Sequence, residues 1–195
     1  MPPIPTPVPE VKTMLRLFVG IPMPEAVVER LSSLANGLPG ARWVRPENYH
    51  LTLRFLGEID EGTAHDVDEA LDLVTGPSFP LTLSGLGSFG SGHKQHALWA
   101  GLVDNDPLLH LQAKVESALV RSGQPREQRK YSPHVTLAYL TDTPPAKLAH
   151  YMGVNGLFQA GPFTVDRYCL YESVLGKSGA TYHILQEYPL GGWGV

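Results

Sequence analysis

Two short segments carry residue types able to do acid/base chemistry. His50-Leu51-Thr52-Leu53 and His134-Val135-Thr136-Leu137 are two copies of His-x-Thr-Leu. Side chains alternate faces along a strand, so His50 pairs with Thr52 on one face and His134 with Thr136. An imidazole titrates near neutrality, so two of them at one place can hold opposite protonation states. One can take a proton from an attacking oxygen while the other gives one to a leaving oxygen. That division of labour suits in-line displacement at phosphorus. Threonine hydroxyls can donate to the non-bridging oxygens, where charge accumulates. The scheme needs no metal and no cofactor. A lone His-x-Thr is ordinarily part of a half-buried strand; its repetition at matched places marks a candidate site.

The elements that must position these groups come in a repeated order. A strand at 15–21, a helix from Pro24 to about Leu38, a strand at 49–56, a helix near 62–75 and a strand at 80–86 form a first set. A strand at 97–103, a helix from Pro107 to about Ser122, a strand at 133–140, a short helix near 144–152 and a strand at 163–171 form a second. Proline opens both leading helices, where its missing N–H costs nothing. Pro24 and Pro107 are offset by 83, His50 and His134 by 84, and Thr82 and Thr164 by 82. This steady offset predicts an internal duplication. The fold class is α+β, with two pseudo-symmetric lobes and an active-site cleft where the two histidine strands meet. A last strand at 181–187 reads as a further repeat of the opening one. Residues 13–195 form a single bilobal domain, and residues 1–12, with five prolines, read as an extended or disordered tail.

Composition narrows the function classes. Hydrophobic residues make up 43% and charged ones 17%, as in a chain with a packed core. No apolar run reaches the roughly 18 residues of a membrane span, and the N-terminal stretch lacks the pattern of a secretory signal. The single cysteine, Cys169, excludes an intrachain disulfide and fits a reducing, cytoplasmic setting. A net charge of -4 argues against a protein that grips long nucleic acid, but not against one that binds a nucleic-acid end. A monomer is expected.

YHLTLRFLG and SPHVTLAYL resemble the motifs of the two-histidine phosphoesterases, and specifically the LigT-like RNA 2′,3′-cyclic phosphodiesterases, also called 2′-5′ RNA ligases. LRLFVGIPMPEAV, ARWVRPENYHLTLRFLGEI, LTLSGLGSFG, ALWAGL and CLYESVLGKSGATYHILQEYPL are similar too, so the resemblance spans about residues 14–190. It implies two antiparallel α+β lobes with outer helices around a cleft. It implies opening of a terminal 2′,3′-cyclic phosphate on RNA to a 2′-phosphomonoester, with ATP-independent 2′-5′ ligation as the reverse sense. The partner is then an RNA 3′ end. Carried over, His50 is the proton donor to the leaving 3′ oxygen, His134 the base that activates water, and Thr52 and Thr136 the phosphate-binding hydroxyls. The residues alone do not say which imidazole is acid and which base. A phosphodiesterase for small cyclic nucleotides, or a non-catalytic RNA-end binding module, are the alternatives.

One position departs from the family pattern. Many members carry an arginine five residues after the second histidine, where this chain has Tyr139. Tyr139 can hydrogen-bond a phosphate or stack on a base, but brings no charge. Arg54, on the His50/Thr52 face by parity, is the candidate substitute, with Lys130 a weaker one. Arg42, Arg45, Arg54, Arg126, Arg129 and Lys130 flank the two motifs and predict a basic mouth. Phe55 and Tyr131 are candidates for base stacking, although parity puts Phe55 with the buried Leu51 and Leu53, and Tyr139 with Val135 and Leu137. Gly85-Leu86-Gly87-Ser88-Phe89-Gly90 spells a dinucleotide fingerprint, but no helix follows it, so it reads as a connection between strands. His93 and His96 lack partner ligands and read as loop histidines. His65, His110, His150 and His183 read as surface or packing residues, and Cys169 as an inert buried thiol.

Overall fold

The computed structural model describes residues 13–177 and 179–191; the proline-rich tail at 1–12 lies outside them. Nine strands and four α-helices follow in the order β1 (Met14–Pro22), α1 (Glu25–Ser32), β2 (Ala41–Trp43), β3 (His50–Asp60), α2 (Glu61–Asp72), β4 (Phe79–Phe89), β5 (Ala97–Leu102), α3 (Asp106–Arg121), β6 (Val135–Leu140), α4 (Pro145–Val154), β7 (Gln159–Val165), β8 (Arg167–Gly176) and β9 (Gly179–Pro189) among the described residues. They build two antiparallel sheets, β3-β1-β8-β9 and β2-β6-β5-β4-β7. The fold class is α+β, as expected. None of the helices among the described residues is long and apolar enough to cross a membrane.

Helix starts follow their caps. Asp60 accepts from the Thr63 N–H at 3.0 Å to open α2, and Asn105 accepts from the Leu108 N–H at 2.9 Å to open α3. Helix α1 stops at Ser32, short of the expected Leu38. There the Ser32 and Ser33 hydroxyls bond back to the carbonyls of Val28 and Arg30, and Gly37 turns the chain with φ 75°. Leu17, Val19, Leu51, Leu53, Leu81, Leu98, Val135 and Leu137 from both sheets join one continuous core.

Two sequence expectations about strands are corrected. Residues 163–171 are not one strand: β7 ends at Val165 and β8 begins at Arg167. β7 pairs with β4 in one sheet and β8 with β1 in the other, so the chain changes sheets at Asp166. An apolar pattern runs through that crossing because both strands bury one face, and pattern alone does not reveal which sheet each joins. Thr164 accordingly pairs with Pro80 on β4 and is not the counterpart of Thr82. Likewise β9 does not repeat the opening strand; it is the outer strand beside β8, as β7 is beside β4. β2, three residues long, is too short for the pattern to show.

Candidate active site

β3 is the edge strand of its sheet and lies against β6 of the other, which brings the two His-x-Thr segments together. The Tyr131 hydroxyl donates to the Thr52 carbonyl at 3.0 Å, tying the segment before β6 to β3. Thr52 and His134 line one cavity, and the Thr52 hydroxyl is 3.1 Å from His50 Nε2. Thr136 is half-buried at the same place after His134 that Thr52 holds after His50.

Both imidazoles are oriented in the same way. His50 Nδ1 lies 2.7 Å from the Asn48 carbonyl and His134 Nδ1 lies 2.8 Å from the Ser132 carbonyl. A carbonyl only accepts, so each Nδ1 carries a proton and each Nε2 is left for chemistry. Burial pushes His50 down to about 4; the Asn48 carbonyl opposes that, and charge on His134 adds to it. His134 is also lowered by burial, against the Ser132 carbonyl.

Aromatic rings pack against both histidines, and the four described next are not among the aromatics that the sequence singles out. Phe18 lies 4.6 Å from the His50 ring and Tyr182 meets it edge-on at 5.0 Å. Phe89 meets the His134 ring edge-on at 4.8 Å and Trp99 lies at 6.0 Å. Trp99 takes its place because its cross-strand partner is Gly87: a Cβ there would fall 2.2 Å from the indole. The 85–90 glycine pattern therefore serves strand packing in β4, and no helix opens after it. These rings stand on β1, β4, β5 and β9, remote in sequence from the motifs, so spacing carried no signal for them.

Strand parity fails at the same point in both motifs. The pairing of β3 with β1 skips Leu53, and that of β6 with β5 skips Leu137. Each skip is a β-bulge, which turns the residues beyond it to the other face. Leu53 and Arg54 are both buried, and so are Leu137 and Ala138. Phe55, placed by parity with the buried leucines, is instead 54% exposed, and Tyr139 is 41% exposed. Both line the cavity beside His50, five residues after their histidines.

Arg54 is the clearest correction. Only 8% exposed, it pairs with Glu116 of α3 at 2.6 Å and donates to the carbonyls of Phe55 and Pro125. It lines the cavity that holds Thr52 and His134, but its guanidinium is committed to joining β3 to α3 and the loop after it. Arg129 is engaged by Glu127 at 3.3 Å, and Arg45 donates to the Ala180 carbonyl and the Thr181 hydroxyl, both at 3.0 Å. The basic mouth is thus smaller than its arginine count. Lys130 is exposed and, with Tyr131, lines the cavity at His134. Tyr139 recovers a charge from across the strand: it pairs with Arg42 of β2, whose guanidinium lies 4.9 Å over its ring. Cys169 is buried and pushed up to about 11, chiefly by burial. No cluster of three or more His, Cys, Asp or Glu among the described residues is arranged to hold a metal ion.

The family model described as LigT like Phosphoesterase matches residues 21–99 and 101–182. The RNA 2′,3′-cyclic phosphodiesterase of Thermotoga maritima is 32% identical over 179 residues, covering 89% of this chain and 94% of that protein. The enzyme of the same name from Aquifex aeolicus is 27% identical over 186 residues, covering 92% and 99%. Among solved structures, E. coli LigT complexed with 3′-AMP superposes with a TM-score of 0.74 at 25% identity, covering 91% of this chain and 99% of that one. Paired His-x-Thr strands facing each other across two antiparallel sheets, over nearly the whole length of these relatives, make this chain a member of the LigT-like phosphoesterase family.

Proposed function

We propose that this chain is an RNA 2′,3′-cyclic phosphodiesterase that opens the terminal cyclic phosphate to a 2′-phosphomonoester. The observation that carries this reading is that two imidazoles, each held through Nδ1 by a backbone carbonyl, stand beside strands in contact, with the Thr52 hydroxyl 3.1 Å from the His50 ring and lining a cavity together with His134. Water attacks phosphorus opposite O3′. His134 Nε2 takes the proton from that water as the new P–O bond forms. Protonated His50 Nε2 gives its proton to O3′ as the P–O3′ bond breaks. The Thr52 and Thr136 hydroxyls donate to the non-bridging oxygens. Both proton transfers are supplied by side chains, so the reaction is read as metal-independent. With a 5′-terminal RNA hydroxyl attacking phosphorus in place of water, giving its proton to His134 as the P–O3′ bond breaks and O3′ takes a proton from His50, the same acid/base pair would form a 2′-5′ linkage without ATP.

Lowered imidazoles fit this scheme once substrate is bound. The phosphodiester is an anion, and its charge beside His50 favours the imidazolium that burial alone disfavours. The test is incubation with RNA ending in 2′,3′-cyclic phosphate, with and without EDTA, followed by mapping of the phosphate. A 2′-phosphate product that survives EDTA is expected. His50→Ala and His134→Ala should each lower turnover by about 10²–10⁴-fold, the usual worth of a general acid or base. A 3′-phosphate product, or full activity in either variant, would overturn the assignment.

A further inference from the structure

Resting on the phosphodiesterase reading, we infer that the cavity on the His50 side of the site binds the RNA strand leading up to the cyclic phosphate, with Arg42 holding its first internucleotide phosphate. The cavity measures about 520 Å³ and runs alongside β1, β2, β6 and the β8–β9 hairpin. It adjoins His50 through Phe18 and Tyr182, which touch the His50 ring and also line the cavity. A second cavity of about 490 Å³ holds His134 and Thr52, and Phe55 is the wall common to both.

In-line geometry assigns the two spaces. O3′ departs toward the acid, and it stays bonded to the ribose, so the nucleoside and the strand 5′ to it must lie on the His50 side. Water approaches from the His134 side and needs little room. The charges agree with that assignment. Arg16, Arg42 and Arg45 line the first cavity, and no Asp or Glu among the described residues does. Arg16 and Arg42 have no ion pair among the described residues, whereas Arg129, in the second cavity, is paired with Glu127 in that same cavity. An unpaired arginine on a wall free of carboxylates attracts a phosphodiester.

The walls match a nucleotide as well. Tyr139, Tyr182 and Phe55 offer ring faces or edges, on which unpaired bases stack with little regard to sequence. Arg42 already lies over Tyr139, so its guanidinium is held toward the cavity rather than loose in solvent. The start of β9 is fastened along one side of the space: Arg45 and the Asn48 amide, at 3.0 and 2.8 Å, both donate to the Ala180 carbonyl. The enzyme should therefore read more than the terminal nucleoside.

The experiment compares kcat/KM for a trinucleotide ending in 2′,3′-cyclic phosphate with that for the matching nucleoside 2′,3′-cyclic monophosphate. The trinucleotide should be favoured by about tenfold, mostly through KM, because only it carries an internucleotide phosphate. In Arg42→Gln that ratio should fall toward one; in Arg42→Lys, which keeps the charge, most of it should remain. Arg42 is exposed, so both variants should fold, and their melting temperatures check this. Turnover of both substrates with a ratio near one in the parent protein, or a ratio that Arg42→Gln leaves unchanged, overturns this inference alone. Turnover of neither substrate overturns the phosphodiesterase reading on which it rests.

Discussion

At the level of single residues, the two histidines are held in the same way but sit in different surroundings. Each Nδ1 is fixed by a carbonyl two residues upstream, so the local strand entry sets the tautomer. His50 is packed against Phe18 and Tyr182, while His134 opens onto a cavity. The proposed mechanism requires His50 protonated and His134 neutral. With His50 brought to about 4 by burial and His134 also below its usual 6.5, the fraction of free enzyme in that state is greatest at acid pH. The kcat/KM profile should therefore peak below pH 6.5. The kcat profile should lie at higher pH, because the bound phosphodiester anion raises the imidazoles. Initial rates measured from pH 4 to 9 check both. A kcat/KM maximum above pH 7 would contradict the lowered values.

At the level of elements, the motifs were legible and the strands' irregularities were not. A period of two placed His50 with Thr52 and His134 with Thr136, because those pairs lie before the bulges. Leu53 and Leu137 then break the alternation, which moves Phe55 and Tyr139 onto the site and Arg54 into the interior. A bulge depends on the partner strand, so nothing within YHLTLRFLG reveals it. Arg54 shows the consequence. Its partner Glu116 is 62 residues away on α3, and together they clamp β3 against that helix. Arg54→Met should destabilise the protein by about 3 kcal/mol, since it strands a partly buried carboxylate. Urea unfolding measures this. The folded variant should keep the parent KM for cyclic-phosphate RNA, and a large rise in KM would restore Arg54 as a phosphate ligand.

At the level of the molecule, the sheets follow one connection scheme: β3-β1-β8-β9 corresponds to β6-β5-β4-β7, with β2 added beside β6. We propose a duplication as its origin, in which β8 and β4 have exchanged lobes. The exchange makes a single core and leaves the site at the seam between the two sheets, with the His50 ring packed inside it. Burial carries a cost in acid. His50 goes from an ordinary 6.5 in the unfolded chain to about 4 in the fold, so the unfolded state binds the proton more readily. The stability tied to neutral His50 is complete above about pH 6.5 and is lost as pH falls through about 4. The loss is about 3 kcal/mol. Urea midpoints at pH 7 and pH 4 should show it, and His50→Asn should shrink the difference. An equal drop in both proteins would place the acid sensitivity elsewhere.

The amino-acid sequence by itself determined the candidate groups: two imidazoles and two hydroxyls at repeated spacing, which local strand geometry suffices to display. It also determined the α+β class, because apolar periodicity is a local property. Only the tertiary structure decided which cations remain available, which aromatics reach the site and where the chain changes sheets. Those depend on pairings between distant segments: Glu116 removes Arg54, β2 brings Arg42 over Tyr139, and Gly87 admits Trp99 beside His134.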